Sequence, residues 1–136
     1  MSTGLGSAPS DPRSDFREVA SGTLKVVVTE DEALLREMIV RMLRLEGYLV
    51  FEFGTAEATI ETVDRHLRGV DLLISDIHLP QKDGLCLFDT LRQSYPELRA
   101  VFVSGDCTFK LPQGASLLSK PVDRQRLLSA VREALQ

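Results

Sequence analysis

The sequence has little cysteine and no long apolar run, and both absences exclude classes of protein. Its two cysteines, Cys86 and Cys107, have no metal-binding spacing and form no disulfide framework. The longest apolar runs hold about five residues, whereas a membrane-spanning helix needs about 20. The residues after Met1 are mostly Gly, Ser, Pro and Asp, so they form no signal-peptide core. We therefore expect a soluble protein of a reducing cytoplasm.

An excess of basic charge is also missing. The chain has 20 acidic and 16 basic residues, which gives a net charge of −4. Binding to nucleic-acid backbone or to an anionic membrane depends on clustered Lys and Arg, so we expect neither as a partner. The 136 residues, 43% of them hydrophobic, suit one compact domain that folds without disulfides or a structural metal.

Residues 1–22 differ in composition from the rest of the chain. They are rich in Gly, Ser and Pro and have no apolar periodicity, which predicts a flexible N-terminal arm. Phe16, Val19 and Ala20 have helical spacing, so a short helix over 15–20 is one interpretation and a tail without structure is the other. The folded domain is expected to span residues 23–136.

From Leu24 onward, short apolar segments alternate with segments of helical periodicity. Strands are predicted over 24–28, 48–53, 71–75, 100–103 and 116–118. Helices are predicted to end before Gly47, to run from about 55 to 67 and from 84 to 94, and to follow Asp123. This alternation predicts an α/β fold, a doubly wound parallel sheet of five strands with helices on both faces.

Polar side chains follow four of the predicted strands. Because the carboxyl ends of parallel strands meet at one edge of the sheet, we expect these side chains to lie together. They are Glu30, Asp31, Asp76, Ser104 and Lys120. Two carboxylates about 5 Å apart repel by about 3 kcal/mol at an effective dielectric constant near 20. Such a group of acids therefore predicts a divalent cation, Mg²⁺ or Mn²⁺.

Each of these residues also has an ordinary structural explanation. Acidic residues are common at helix N-termini, where the helix dipole favours them, and Glu32 is interpreted as such a solvent-facing residue. Only their joint placement at successive strand ends favours a functional site.

Four segments resemble the receiver domain of two-component response regulators, and the resemblance covers about residues 24–136. The segments are VVVTEDE, DLLISDIHLPQKDG, VFVSG and LLSKP. The second is the most specific, with Asp76 at a strand end, then Ile77, Leu79-Pro80 and Gly84 in order. The resemblance implies a flavodoxin-like sheet with strand order 2-1-3-4-5 and a cis Lys120–Pro121 bond.

The same resemblance implies a role for each polar residue at the strand ends. Asp76 would accept a phosphoryl group from a phosphohistidine of a sensor histidine kinase. Asp31, Asp76 and the backbone carbonyl of His78 would bind the metal directly, and Glu30 would act through a bound water. Ser104 and Lys120 would contact phosphoryl oxygens, with movement of Ser104 as the switch.

Two features depart from the receiver pattern. Leu117 stands where the family usually has the aromatic residue that rotates on activation, so either the switch is modified, which we favour, or Leu117 is plain core. The 11 residues from Gly105 to Ala115 include Pro112 and two glycines, so the fourth helix of the family is expected to be missing or reduced. Its loss predicts an uncovered apolar patch, closed by a second protomer in a homodimer, by residues 15–20, or by a partner protein.

The predicted function is that of a single-domain response regulator, not an enzyme. Because the chain ends at Gln136, soon after its last predicted helix, output is expected through protein contacts or a phosphorelay. A degenerate receiver serving as a binding scaffold is one alternative. A metal-dependent phosphohydrolase is another, although His78 stands where such enzymes have a general acid. A flavodoxin-like cofactor binder is disfavoured because Glu30, Asp31 and Glu32 would repel a phosphate group.

Overall fold

A computed structural model describes residues 23–136 except 107 and 109. The predicted N-terminal arm, its short helix over 15–20 and the side chain of Cys107 lie outside the described residues.

Five strands and four helices alternate along this part of the chain. The strands are β1 (Lys25–Thr29), β2 (Leu49–Phe53), β3 (Leu72–Asp76), β4 (Arg99–Ser104) and β5 (Ala115–Ser119). The helices are α1 (Ala33–Leu45), α2 (Ala56–His66), α3 (Gly84–Ser94) and α4 (Arg124–Ala134). The predicted boundaries of these elements agree with the observed ones to within one or two residues.

All five strands are parallel, in the order β2-β1-β3-β4-β5. The structure therefore confirms the predicted fold class and strand order. Val27 of β1, for example, lies between Phe51 and Leu73 in the two neighbouring strands. Placing β1 inside the sheet brings the turn that follows it beside the end of β3.

Alternation along the strands divides the core into two layers. Val26 and Val28 point to the face covered by α1 and α4, whereas Val27 points to the face covered by α2 and α3. Both layers are almost free of water contact. The continuous apolar strands that the sequence shows are thus explained by burial on both faces.

Side chains before three of the helices fix where these helices begin. Thr55, Asp83 and Asp123 accept hydrogen bonds from the backbone N–H groups of Ala58, Cys86 and Arg126, respectively. Helix α1 differs, because Glu32 at its N-cap gives no side-chain cap. The N–H of Glu32 instead donates to the Glu30 carboxylate at 3.0 Å. The start of α1 is therefore tied to an acidic side chain of the predicted site.

The described residues of the connection between β4 and β5 contain no helix, as predicted. The apolar patch expected there is partly covered in the described residues. Leu111 and Leu117 are partly buried against the α2–α3 layer. Arg92 of α3 lies over the Phe88 ring at 4.9 Å and donates to the Gln113 carbonyl oxygen at 2.7 Å. The short connection thus covers part of this face of the sheet.

The large hydrophobic side chains that are exposed lie elsewhere in the described residues. Leu34 and Leu45, at the two ends of α1, are 77% and 73% exposed, and Leu24 precedes β1. None of the helices described is both long and apolar enough to cross a membrane.

Candidate functional site

The carboxyl ends of the strands bring together the acidic residues predicted from the sequence. Glu30 and Asp31 follow β1, and Asp76 is the last residue of β3. One carboxylate oxygen from each of the three lies within 4.8 Å of the others. Ser104 ends β4, and Lys120 follows β5, so all five predicted residues are at the same edge.

Asp76 is held by hydrogen bonds on both carboxylate oxygens. Its Oδ1 accepts from the backbone N–H of His78 at 2.8 Å, and its Oδ2 accepts from the Lys120 ammonium at 2.8 Å. The side chain is nearly buried, whereas that of Lys120 is about one-third exposed. Such charge-assisted bonds fix the carboxylate in one orientation, with its charge balanced by an adjacent cation.

Lys120 directly follows β5, and the peptide bond between Lys120 and Pro121 is cis, as predicted. Its backbone N–H donates to the Ser104 carbonyl oxygen at 2.9 Å, which joins the end of β5 to the end of β4. Burial lowers the pKa of the Lys120 ammonium, but the bond to Asp76 and the charges of Asp76, Glu30 and Glu32 outweigh it and raise the pKa overall. Lys120 is therefore a permanent cation at neutral pH.

Glu30 has the least satisfied side chain of the site. It is 2% exposed, and its Oε2 accepts the bond from Glu32. Its Oε1 is the one buried side-chain oxygen or nitrogen of the described chain that has no hydrogen-bond partner. Burial, followed by the charge of Asp76 and the nearby Asp31 side chain, raises the pKa of Glu30 from 4.5 to about 7.

These observations fit a divalent metal ion. Three carboxylates are adjacent, and one of them has a buried oxygen that lacks a donor. Oxygen ligands in such a group are those that Mg²⁺ and Mn²⁺ prefer. Glu30, Asp31 and Asp76 are the side chains that could hold the ion.

Ser104 lies next to this group on the neighbouring strand and is almost fully buried. Its hydroxyl oxygen accepts a hydrogen bond from the backbone N–H of Asp106 at 3.0 Å. Asp106 in turn accepts two bonds from Thr108, which lower the pKa of its carboxyl group. The charge of His78 acts in the same direction, so the loops after β3 and β4 face each other.

Two residues important for the site geometry were not assigned a role from the sequence. Gly84, at the start of α3, donates its N–H to the Ile77 carbonyl oxygen at 2.8 Å and packs directly against the backbone of Asp76. Arg36, on α1, donates to the Glu30 carbonyl oxygen at 2.6 Å. The sequence offered one signal for each residue. Gly84 is a glycine that follows the Asp76 loop, and Arg36 is a basic residue in the first turn of α1.

Replacing Gly84 with Ala should destabilise the fold by about 2 kcal/mol, because an added methyl group has no space there. The new Cβ would overlap the Asp76 carbonyl oxygen and lie 2.9 Å from the Ser75 hydroxyl oxygen. Urea unfolding measures the effect. The control is Gly69→Ala, where a Cβ meets nothing within 4 Å. Equal unfolding midpoints for the two variants would contradict the close packing of Gly84 on the Asp76 backbone.

Comparison with known families and proteins agrees with this geometry. A family model described as response regulator receiver domain matches residues 26–132. The sensor kinase CckA of Brucella abortus is 34% identical over 122 residues, which are 85% of this chain but only 13% of the kinase. The response regulator receiver protein CpdR of the same organism is 26% identical, covering 82% of this chain and 96% of CpdR.

A solved structure shows the same relationship. The crystal structure of the receiver domain from the hybrid histidine kinase CckA matches with a TM-score of 0.74 and 31% identity. The match covers 82% of this chain and 99% of that domain. The similarity to CckA is thus limited to one part of that kinase, whereas the similarity to CpdR spans nearly its whole length.

Proposed function

Since the chain belongs to the response regulator receiver domain family, we propose that it is a signalling protein whose Asp76 accepts a phosphoryl group from a histidine kinase. Receiver domains in general bind Mg²⁺ and interact with histidine kinases and phosphotransfer partners, and they are signalling proteins rather than enzymes. The observation that carries the proposal is the Asp76 carboxylate, which is grouped with two further carboxylates and bound to Lys120.

Phosphoryl transfer to Asp76 forms one bond and breaks another. A carboxylate oxygen of Asp76 attacks the phosphorus atom, and the bond from phosphorus to the donor's imidazole nitrogen breaks with its electron pair. The bond from the His78 N–H to Oδ1 fixes the orientation of the attacking group. Mg²⁺, held by Glu30, Asp31 and Asp76 and by the His78 backbone carbonyl, would offset the negative charge on the phosphoryl oxygens.

Lys120 and Ser104 would stabilise the product. Once Asp76 carries the phosphoryl group, the Lys120 ammonium remains beside it and can pair with a phosphoryl oxygen. The Ser104 hydroxyl accepts a bond from Asp106, so its own hydrogen remains to be donated to another phosphoryl oxygen. Moving Ser104 toward Asp76 would break the bond to Asp106 and shift the connection from β4 to β5. That connection is the element we propose as the switch.

Output is proposed to occur through protein contacts or through onward transfer in a phosphorelay. The exposure of Leu34 and Leu45 on α1 supports protein contacts, because large apolar side chains in water favour association. Leu34 lies three residues after Asp31, close to where a phosphoryl donor must approach. Leu117, partly buried against the α2–α3 layer, supports the interpretation as core rather than as a rotating switch residue.

Assembly and location remain part of the proposal. The homodimer stays a prediction, and the described connection covers only part of the sheet face that would form its interface. Static light scattering of the unphosphorylated and beryllofluoride-treated protein measures it. We also propose a cytoplasmic location, and no binding to nucleic acid because the net charge is negative.

Acetyl phosphate, a small phosphoryl donor, tests the proposed function without the cognate kinase. We expect the intact mass to rise by one phosphoryl group per chain with Mg²⁺, and not to rise when EDTA removes the metal. No mass increase under either condition would contradict the proposal and favour the degenerate scaffold. Release of phosphate over many rapid turnovers of small phosphate esters would instead indicate a phosphohydrolase.

A further inference from the structure

The peptide unit that joins Glu30 to Asp31 lies between two of the proposed metal ligands. On its N-terminal side, the Glu30 N–H donates to the Phe53 carbonyl oxygen at 3.0 Å, which continues the pairing of β1 with β2. The Glu30 carbonyl oxygen belongs to the peptide unit itself and accepts from Arg36 Nη1 at 2.6 Å. The orientation of this peptide determines where the Asp31 side chain begins.

Arg36 is itself held in place by residues at the end of β2. Its Nε lies 3.5 Å from Glu52 Oε1, and the side chain is 23% exposed. Gly54 leaves room for the guanidinium group, because a Cβ at Gly54 would lie 3.2 Å from Nη1. The guanidinium therefore connects α1, the end of β2 and the turn that carries the acidic residues.

From this geometry we propose that Arg36 is a positioning residue for the metal site. By holding the Glu30 carbonyl, it fixes the peptide plane between Glu30 and Asp31, so that both carboxylates face Asp76 before the ion binds. This inference rests on the proposed function, because it concerns the same Mg²⁺ site. Groups that orient metal ligands in this way typically contribute 10- to 100-fold to metal affinity.

Two simpler explanations for Arg36 make different predictions. If Arg36 only tied α1 to β2, then Arg44 would be equivalent, since its Nη1 lies 3.8 Å from Glu52 and its Nη2 donates to the Val50 carbonyl oxygen at 3.0 Å. If Arg36 acted only through its charge, its removal would strengthen Mg²⁺ binding, because a nearby cation repels the ion. A positioning role predicts weaker binding, which is the opposite sign.

The experiment is a Mg²⁺ titration followed by backbone amide NMR signals around Asp76, at a pH well above the Glu30 pKa of about 7. Arg36→Met should bind Mg²⁺ about 10-fold more weakly than the wild type. Arg44→Met is the matched control, because this substitution removes only contacts between α1 and β2. Its Mg²⁺ affinity should stay within about twofold of the wild-type value, whereas its thermal stability should fall about as much as that of Arg36→Met. Affinity in Arg36→Met equal to or above that of the wild type would overturn the inference.

Gly54→Ala tests the same contact without changing any charge. Gly54 does not have a positive φ, so the added methyl group meets only the Arg36 guanidinium. We expect Mg²⁺ affinity to fall about threefold, because a displaced guanidinium group would orient the metal ligands less well. Unchanged affinity would count against the inference even if Arg36→Met fails to fold. If the wild type itself binds no Mg²⁺, both the proposed function and this inference fail. If the wild type binds Mg²⁺ and the variants bind it equally well, only the inference about Arg36 is overturned.

Discussion

Replacing Asp76 with Asn should abolish phosphoryl uptake from acetyl phosphate, with no mass increase under conditions that fully load the wild type. The carboxamide has almost the same shape as the carboxylate, but it is not a nucleophile and carries no charge for the metal. Asp76 is the proposed phosphoacceptor, and its side chain is held at the edge of the sheet by two hydrogen bonds, one of them from Lys120. Intact-mass spectrometry measures the loss directly.

A matched control separates this effect from a general loss of acidic charge. Asp89 is an exposed aspartate on α3, and Asp89→Asn should load like the wild type. The two variants lose the same formal charge but differ in position relative to the strand ends. Residual loading of Asp76→Asn at the wild-type level would place the phosphoryl group on another residue and contradict the proposed phosphoacceptor.

The Asp76 variant has a second consequence that can be measured without any phosphoryl donor. The charge of Asp76 is one of the factors that raise the pKa of Glu30, whereas Lys120 lowers it. Removing Asp76 therefore removes a repulsion and leaves the Lys120 charge free to act on Glu30. The pKa of Glu30 in Asp76→Asn should fall, as carbon-13 NMR of the Glu30 carboxyl group would show.

The sequence was sufficient to predict the fold and the residues at the strand ends. Short β-branched strands such as 24–28 indicate burial on both faces, and the spacing between strands requires crossover helices. Because parallel strands place their carboxyl ends at one edge, Asp31, Asp76 and Lys120 could be brought together without coordinates. These predictions depend on periodicity and chain direction, which a single sequence contains.

Features that depend on side-chain packing could not be predicted in this way. The burial of Glu30 and its unpartnered oxygen follow from how α1 and β2 close over the turn after β1, not from any local pattern. The same holds for Arg36, whose carbonyl partner is six residues away on a turn. The number of predicted helices also could not show that Leu111 and the Arg92 contacts cover part of the face beside β5.

Replacing Glu30 with Gln should stabilise the metal-free protein above pH 7 by about 3 kcal/mol. The pKa of Glu30 is about 7 in the folded state, compared with an ordinary value of 4.5 that we assume for the unfolded chain. Between pH 4.5 and pH 7, Glu30 is protonated in the folded state but ionised in the unfolded state. The free energy of unfolding of the wild type therefore falls as the pH rises from 4.5 through 7. Below this window both states are protonated, and the difference between Gln and Glu should disappear.

Mg²⁺ should reverse the order of stability of the two proteins, and this reversal would distinguish a metal site from a carboxylate that is only destabilised by burial. If Glu30 binds the ion in the wild type, its proton is released on binding, so Mg²⁺ affinity should rise about tenfold for each pH unit approaching the Glu30 pKa and level off above it. Glu30→Gln should bind Mg²⁺ weakly, with little pH dependence in the same range.

Urea unfolding with EDTA and with Mg²⁺, across this pH range, measures both effects. Glu37→Gln, an exposed position on α1, serves as the control. Parallel stability curves for Glu30→Gln and the wild type would show that Glu30 does not titrate near neutral pH.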